Sequence, residues 1–172
     1  LLTLRIGPAV LTGAALYYMI GLRSSFEHCF WYVLVLVLVT VCGAAVSMAA
    51  GAWSPSLAFA NLVTINFMLF NMLLSNVLSQ QSSIPFPLNL LAELSMIKQG
   101  VEVLMINELR GRTNFFVSWN GQTFDGTGDG VLRNLGFHIS RFYVDVYILL
   151  AMIATYLLLT YCSLRFHLKE RR

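Results

Sequence analysis

The sequence predicts an all-α membrane protein. It should have four transmembrane helices, re-entrant or interfacial helices on the extracellular side, and a small polar extracellular loop. Three observations predict this. The 64 residues from Cys29 to Ala92 contain no Asp, Glu, Lys, Arg or His, whereas an ordinary soluble domain is about a quarter charged. The whole chain is 58% hydrophobic and only 11% charged, which excludes disorder. Trp53-Ser54-Pro55 divides the charge-free run, because proline removes a backbone donor and turns its predecessor away from helix. Each part then matches the roughly 20 apolar residues that cross a bilayer.

The totals exclude other classes. A net charge of +3 with no basic patch argues against a nucleic-acid partner. Cys29, Cys42 and Cys162 fall in or beside spans and read as small buried hydrophobes. None lies in the polar loop, so no disulfide framework is expected. The length of 172 residues fits one domain. The chain opens on Leu1 inside an apolar run, without an initiator Met or a signal-peptide pattern. The expectation is a piece of a longer protein.

The first span covers about residues 1–22, with Pro8 opening or kinking it. Tyr17-Tyr18 at its end and Phe30-Trp31-Tyr32 after the connection fit one aromatic interfacial belt. The second span covers 29–50. Gly43, Ser47 and Gly51 recur there every four residues, so small residues share a face that a neighbouring helix can approach.

The third span, 56–79, is the most informative. Asn61, Thr64, Met68, Asn71 and Ser75 follow helical spacing and occupy a strip of roughly 80°. Ile65, Leu69 and Met72 form the adjacent strip. Polar side chains in hydrocarbon must be satisfied, so they face protein or a wet cavity. They either make interhelical hydrogen bonds or line one wall of a substrate passage, apolar with a few polar groups.

The extracellular segment covers 80–141. Ile84-Pro85-Phe86-Pro87 blocks immediate helix. Leu88–Leu109 reads as one or two short helices at the outer interface, with a break at Gly100. Its charges at Glu93, Lys98, Glu102 and Glu108 are too dense to cross lipid unaided. Lys98 and Glu102 have the spacing of a weak helical pair. A solvated amphipathic helix is the plainer reading. Arg110 to Arg141 is a polar loop, with turns at Asn120-Gly121, Asp125-Gly126 and Asp129-Gly130 and a short strand within Phe115–Trp119. Its acids match no calcium loop. It holds no glycosylation sequon.

The fourth span is 142–163. Asp145 in its first turns suits the helix dipole as an interfacial cap, with a proton or ion relay as the sharper alternative. The closing tail carries Arg165, Lys169, Arg171 and Arg172 against Glu170, which puts the C-terminus in the cytoplasm. No phosphate-binding, zinc, thiol-redox or nucleophile-elbow motif occurs. His28, His138 and His167 sit at membrane borders without ligand spacing. No catalytic residue and no metal site is expected.

Several patterns, in order, resemble the membrane domain of the ATP-binding-cassette transporter G subfamily, the White–Brown complex type. Tyr17-Tyr18-Met19-Ile20-Gly21-Leu22 is similar to the end of that family's third membrane helix. Ile84-Pro85, Leu94-Ser95, Gly100-Val101-Glu102 and Ile106-Asn107-Glu108-Leu109 resemble its extracellular block. Thr127 to Leu132, Leu135-Gly136 and Tyr161 to Phe166 resemble its ending.

The resemblance implies that the four spans are the third to sixth helices of a six-helix domain. It implies a homo- or heterodimer of half-transporters with the translocation path at the two-fold interface. ATP and Mg would act in a nucleotide-binding domain outside this chain, which itself needs no cofactor. It places cavity-facing positions at Ile65, Leu69 and Met72, beside Thr64 and Asn71, and an apolar plug at Val77 and Leu78. Asn76 replaces the glycine usual before the plug, and the tryptophan usual after Ile84-Pro85 is absent.

The expected function is the membrane part of an ATP-driven exporter of lipid, sterol or another amphipathic substrate, in the plasma membrane or an internal one. The alternative is a scaffold or anchoring subunit that transports nothing.

Overall fold

In the computed structural model the described residues are 2–22, 25–75, 92–112, 118–119, 122–123, 127–134, 136–137 and 139–170. The helices are α1 (Leu2–Ile20), α2 (Phe26–Trp53), α3 (Leu57–Leu74), α4 (Met96–Leu109), α5 (Gly128–Asn134) and α6 (Phe142–Glu170). A 3-10 turn, Ile139–Arg141, leads into α6. Two-residue strands β1 (Ser118–Trp119) and β2 (Gln122–Thr123) pair antiparallel. In this register Ser118 pairs with Thr123 and Trp119 with Gln122.

α2 is the helix the others pack around: α1, α3, α4 and α6 all touch it. Its Val-rich stretch from Val33 to Val41 has only modest helix propensity. In hydrocarbon the helix still wins, because it satisfies every backbone group within its own segment. At 28 residues α2 is about 42 Å long, more than a bilayer core requires. Ser54 ends it, donating its backbone N–H to the Ala50 carbonyl at 3.1 Å. Ser56 opens α3 two residues later, its Oγ accepting from the Phe59 N–H at 3.3 Å. The expected hairpin is thus capped on both sides of Pro55.

Three helices, α2, α3 and Ile139–Arg165 including most of α6, are long and apolar enough to cross a membrane. α1 contributes a shorter apolar helix, Leu4–Ile20. The expected second and fourth spans extend to Trp53 and Glu170 as helix. Positions 76–79 of the third lie outside the described residues.

Two apolar clusters fill the bundle. One joins Val35, Val103, Ile106, Leu132, Phe137 and Phe142, and the other joins Cys42, Met96, Leu149, Met152 and Ile153. Of the aromatic residues in the expected belt, Tyr17 is buried, with its ring 5.2 Å from that of Tyr32.

α4 corrects three expectations. It runs unbroken through Gly100. A Cβ at that position would come 2.6 Å from Val39 Cγ2, so the glycine lets α4 approach α2 rather than breaking the helix. Lys98 does not pair with Glu102. Its Nζ reaches back to Glu93 Oε1 at 2.8 Å. Nor is α4 a solvated helix, since Lys98, Gln99, Glu102 and Asn107 are all buried in it.

Candidate functional site

The two strips of α3 have different surroundings. Asn71 is 3% exposed, and it ties α3 to the start of α4. Its Oδ1 accepts from the Met96 N–H at 3.1 Å, and its backbone carbonyl accepts from Ser95 Oγ at 2.9 Å. Its Nδ2 donates to the Phe67 carbonyl at 2.9 Å. Ser95 Oγ meanwhile accepts from the Lys98 N–H at 3.3 Å. Helix N-termini leave N–H groups without intrahelical partners, and Asn71 and Ser95 together satisfy two of them. Ser75 is buried and donates to the Met72 carbonyl at 2.7 Å. Thr64 is half-buried and returns its hydroxyl to the Ala60 carbonyl at 2.9 Å.

The adjacent strip is open. Ile65 is 56% exposed, Leu69 54% and Met72 48%. They form a charge-free apolar wall on a helix with no ionisable side chain. Such a wall offers dispersion and apolar burial to a ligand and nothing that reacts. Val77 and Leu78 lie outside the described residues. Beside the wall, Met68 packs with Phe67 against the Cys42–Met96 cluster, and Gly43 of α2 gives the Met68 methyl room: a Cβ there would lie 3.1 Å from Met68 Cε.

A second polar feature lies where α4 meets α6. Glu93 receives Lys98 Nζ at 2.8 Å and a two-pronged Arg141 contact, Nη1 to Oε1 and Nη2 to Oε2, each at 3.2 Å. The fork matches carboxylate geometry. Partial burial pushes the Glu93 carboxyl up, but the hydrogen bonds from Lys98 and Arg141 outweigh it and hold the group below the usual carboxylate range. No spacing pattern in the sequence points to this centre. Its signal was Glu93 itself, the charge that ends the 64-residue gap.

At the far end of α4, Asn107 Nδ2 donates to the His28 carbonyl at 2.9 Å, and the His28 ring lies 3.2 Å from Asn107 Oδ1. A cavity of about 120 Å³ opens there, lined by Glu27, His28, Trp31, Asn107, Arg110 and Tyr143 among others. It is formed by α2, α4 and α6 and has no lining residue from α3. Among the described residues no group of three His, Cys, Asp or Glu is arranged to hold a metal.

Three helices long and apolar enough to cross a membrane, one of them without any ionisable side chain and with an apolar outward strip, define an integral membrane protein. The chain belongs to the ABC-2 type transporter family, which matches residues 2–109. It is 34% identical over 175 residues to ABC transporter G family member 24 of Dictyostelium discoideum, covering 100% of this chain and 15% of that protein. It is 29% identical to the broad substrate specificity ATP-binding cassette transporter ABCG2 of Bos taurus, over 96% of this chain and 26% of that protein. Against the Rattus norvegicus protein of the same name the identity is 30%, over 96% and 27%. The chain therefore spans between 15% and 27% of the length of these relatives. The relatives agree in placing it in the G subfamily of these transporters.

Proposed function

We propose that this chain is the C-terminal portion of the transmembrane domain of an ATP-driven exporter, and that α3 forms one wall of its translocation path. The carrying observation is the exposed strip of Ile65, Leu69 and Met72, charge-free and held in place by the packed neighbouring strip with Asn71 and Met68. A single chain presents this strip as an open face, and ligand sites are concave. A second half-transporter facing it would close the cavity, so the proposal includes a homo- or heterodimer with the path at its interface.

The same proposal counts α1 as the first of four spans. It sets the α4 region and the β1–β2 hairpin on the extracellular side and the C-terminus in the cytoplasm, in the plasma membrane or an internal one. ATP and Mg act in a nucleotide-binding domain outside this chain. The substrate class is lipid, sterol or another amphipathic molecule, because a wall without fixed charge does not recompense the desolvation of sugars or ions. Two of the relatives are named for broad substrate specificity, which suits recognition by apolar contact.

The test is Leu69→Trp or Met72→Trp in the full-length transporter. Transport and substrate-stimulated ATP hydrolysis should both fall, while hydrolysis without substrate persists. Wild-type transport and stimulation in both variants would overturn the assignment of the wall.

A further inference from the structure

The cavity at the far end of α4 is walled by aromatic rings. Trp31, Phe142 and Tyr143 all line it. The Trp31 ring stands at 76° to that of Phe142, 5.2 Å away, and at 80° to that of Tyr143, 6.2 Å away. Phe142 and Tyr143 meet at 85° and 5.2 Å. Three ring planes near right angles to one another make the corner of a box. Aromatic faces are electrically negative, so such a corner attracts an organic cation, and tryptophan attracts it best.

The charges beside the box are of both signs. Among the described lining residues Glu27 is the carboxylate and Arg110 the guanidinium, and both are exposed. Arg110 already interacts with another group, but a guanidinium has several donors and takes a phosphate oxygen as well. α2 and α6 both begin at this cavity, and helix starts favour an anion. A bare cation therefore meets opposition here, whereas a zwitterion finds a complement for each end. Asn107 adds little for a hydrogen-bonding ligand, because its amide is spent on His28: Nδ2 donates to the carbonyl at 2.9 Å and Oδ1 lies 3.2 Å from the ring. Rings without spare acceptors suit a quaternary ammonium, which has no N–H to satisfy.

Size and place narrow the choice further. A volume of about 120 Å³ is well below the ~300–1,000 Å³ of sites that enclose a drug-sized ligand. It takes a headgroup, not a sterol or an acyl chain. The cavity also sits at the first turns of two helices long enough to span, the level at which headgroups meet tryptophan and tyrosine.

We propose that the cavity between α2, α4 and α6 binds phosphocholine, presented as the headgroup of a bilayer lipid. The trimethylammonium sits in the corner of Trp31, Phe142 and Tyr143 beside Glu27, and the phosphate lies at Arg110. None of the described lining comes from α3, so the site stands independently of the translocation path proposed there.

The experiment measures thermal unfolding of the full-length transporter in phosphatidylglycerol nanodiscs. One arm replaces a rising fraction of that lipid by phosphatidylcholine, and in parallel by phosphatidylethanolamine, which keeps the phosphate and changes the ammonium. The other arm adds soluble phosphocholine. A ligand bound by the folded state raises the Tm with the logarithm of its concentration. The Tm of the wild type should rise more with choline lipid than with ethanolamine lipid. A rise with soluble phosphocholine alone would assign the same site to the free headgroup. Tyr143→Phe keeps the ring and should respond as the wild type does, whereas Tyr143→Leu should need about tenfold more choline lipid for the same rise. Glu27→Gln, at an exposed position, should weaken the response too, and it decides the matter if Tyr143→Leu fails to fold. Effects of the bilayer as a whole are common to all these proteins and cancel. A wild type that answers choline lipid no more than ethanolamine lipid and ignores soluble phosphocholine would overturn the proposal. So would a response unchanged in both Tyr143→Leu and Glu27→Gln. The readout is stability rather than transport, so failure here and failure of the α3 assignment are distinguishable.

Discussion

α3 and α4 invert the rule of water-soluble proteins. α3 holds no ionisable side chain, yet much of its apolar surface is exposed. α4 holds Lys98, Glu102 and Glu108, yet Lys98, Gln99, Glu102 and Asn107 are buried in it. The difference follows from solvent. A helix in hydrocarbon gains little by turning apolar side chains inward, so α3 leaves Ile65, Leu69 and Met72 outside and spends its packed face on Asn71, Met68 and Ser75. A charged helix at the end of the bundle has the opposite need, and α4 turns its ions toward α6 and Glu93.

The largest break in this comparison should come from Glu93→Gln. Lys98, 1% exposed, would stay buried without its carboxylate, a loss of about 3 kcal/mol, read by thermal unfolding of the full-length protein in detergent. The same group sets an acid limb. Because the native Glu93 carboxyl lies below its ordinary value, its stabilisation is complete above the unfolded pKa of about 4.3 and is lost as the pH falls through the lower native value. Glu93→Gln should flatten that limb in unfolding measured from pH 6 to 3.

Next in size is Gly100→Val. Its side chain would meet Val39, and overpacking of this kind costs about 1–3 kcal/mol. Val39→Ala in the same protein should recover part of the loss, and a break at Gly100 without packing would predict no recovery. Asn71→Leu should cost about 1–2 kcal/mol by stripping the Met96 N–H of its acceptor. Thr64→Val, on the same strip, removes only a bond to its own helix and should stay within about 0.5 kcal/mol. Equal effects of these last two in one unfolding assay would erase the distinction within α3.

The spans were legible because a 64-residue gap in charge is a statement about solvent that no packing detail can mask. Helical phase also put Asn71 and Ser75 together and Ile65, Leu69 and Met72 beside them. It could not say that α4 would cover the first strip, because Ser95 and Met96 return to Asn71 only after the proline-containing connection. Lys98 was misread for a similar reason. Spacing on one helix suggested Glu102, while the real partner stood in the turn before α4 and was shared with Arg141, which is remote in sequence. The sequence marks Asp145 as an interfacial cap or, more sharply, as part of a proton or ion relay. Its complete burial depends on the seating of α4, which no local pattern encodes.

The tight link from Ser54 to Ser56 has a consequence for biosynthesis. α2 and α3 share an uninterrupted neutral stretch, so between them there is no lysine or arginine for the insertion machinery to read. The pair therefore carries no topological address of its own. Which way its bend points is decided by the residues flanking it, and moving basic residues there, not within the pair, is how the orientation would be reversed.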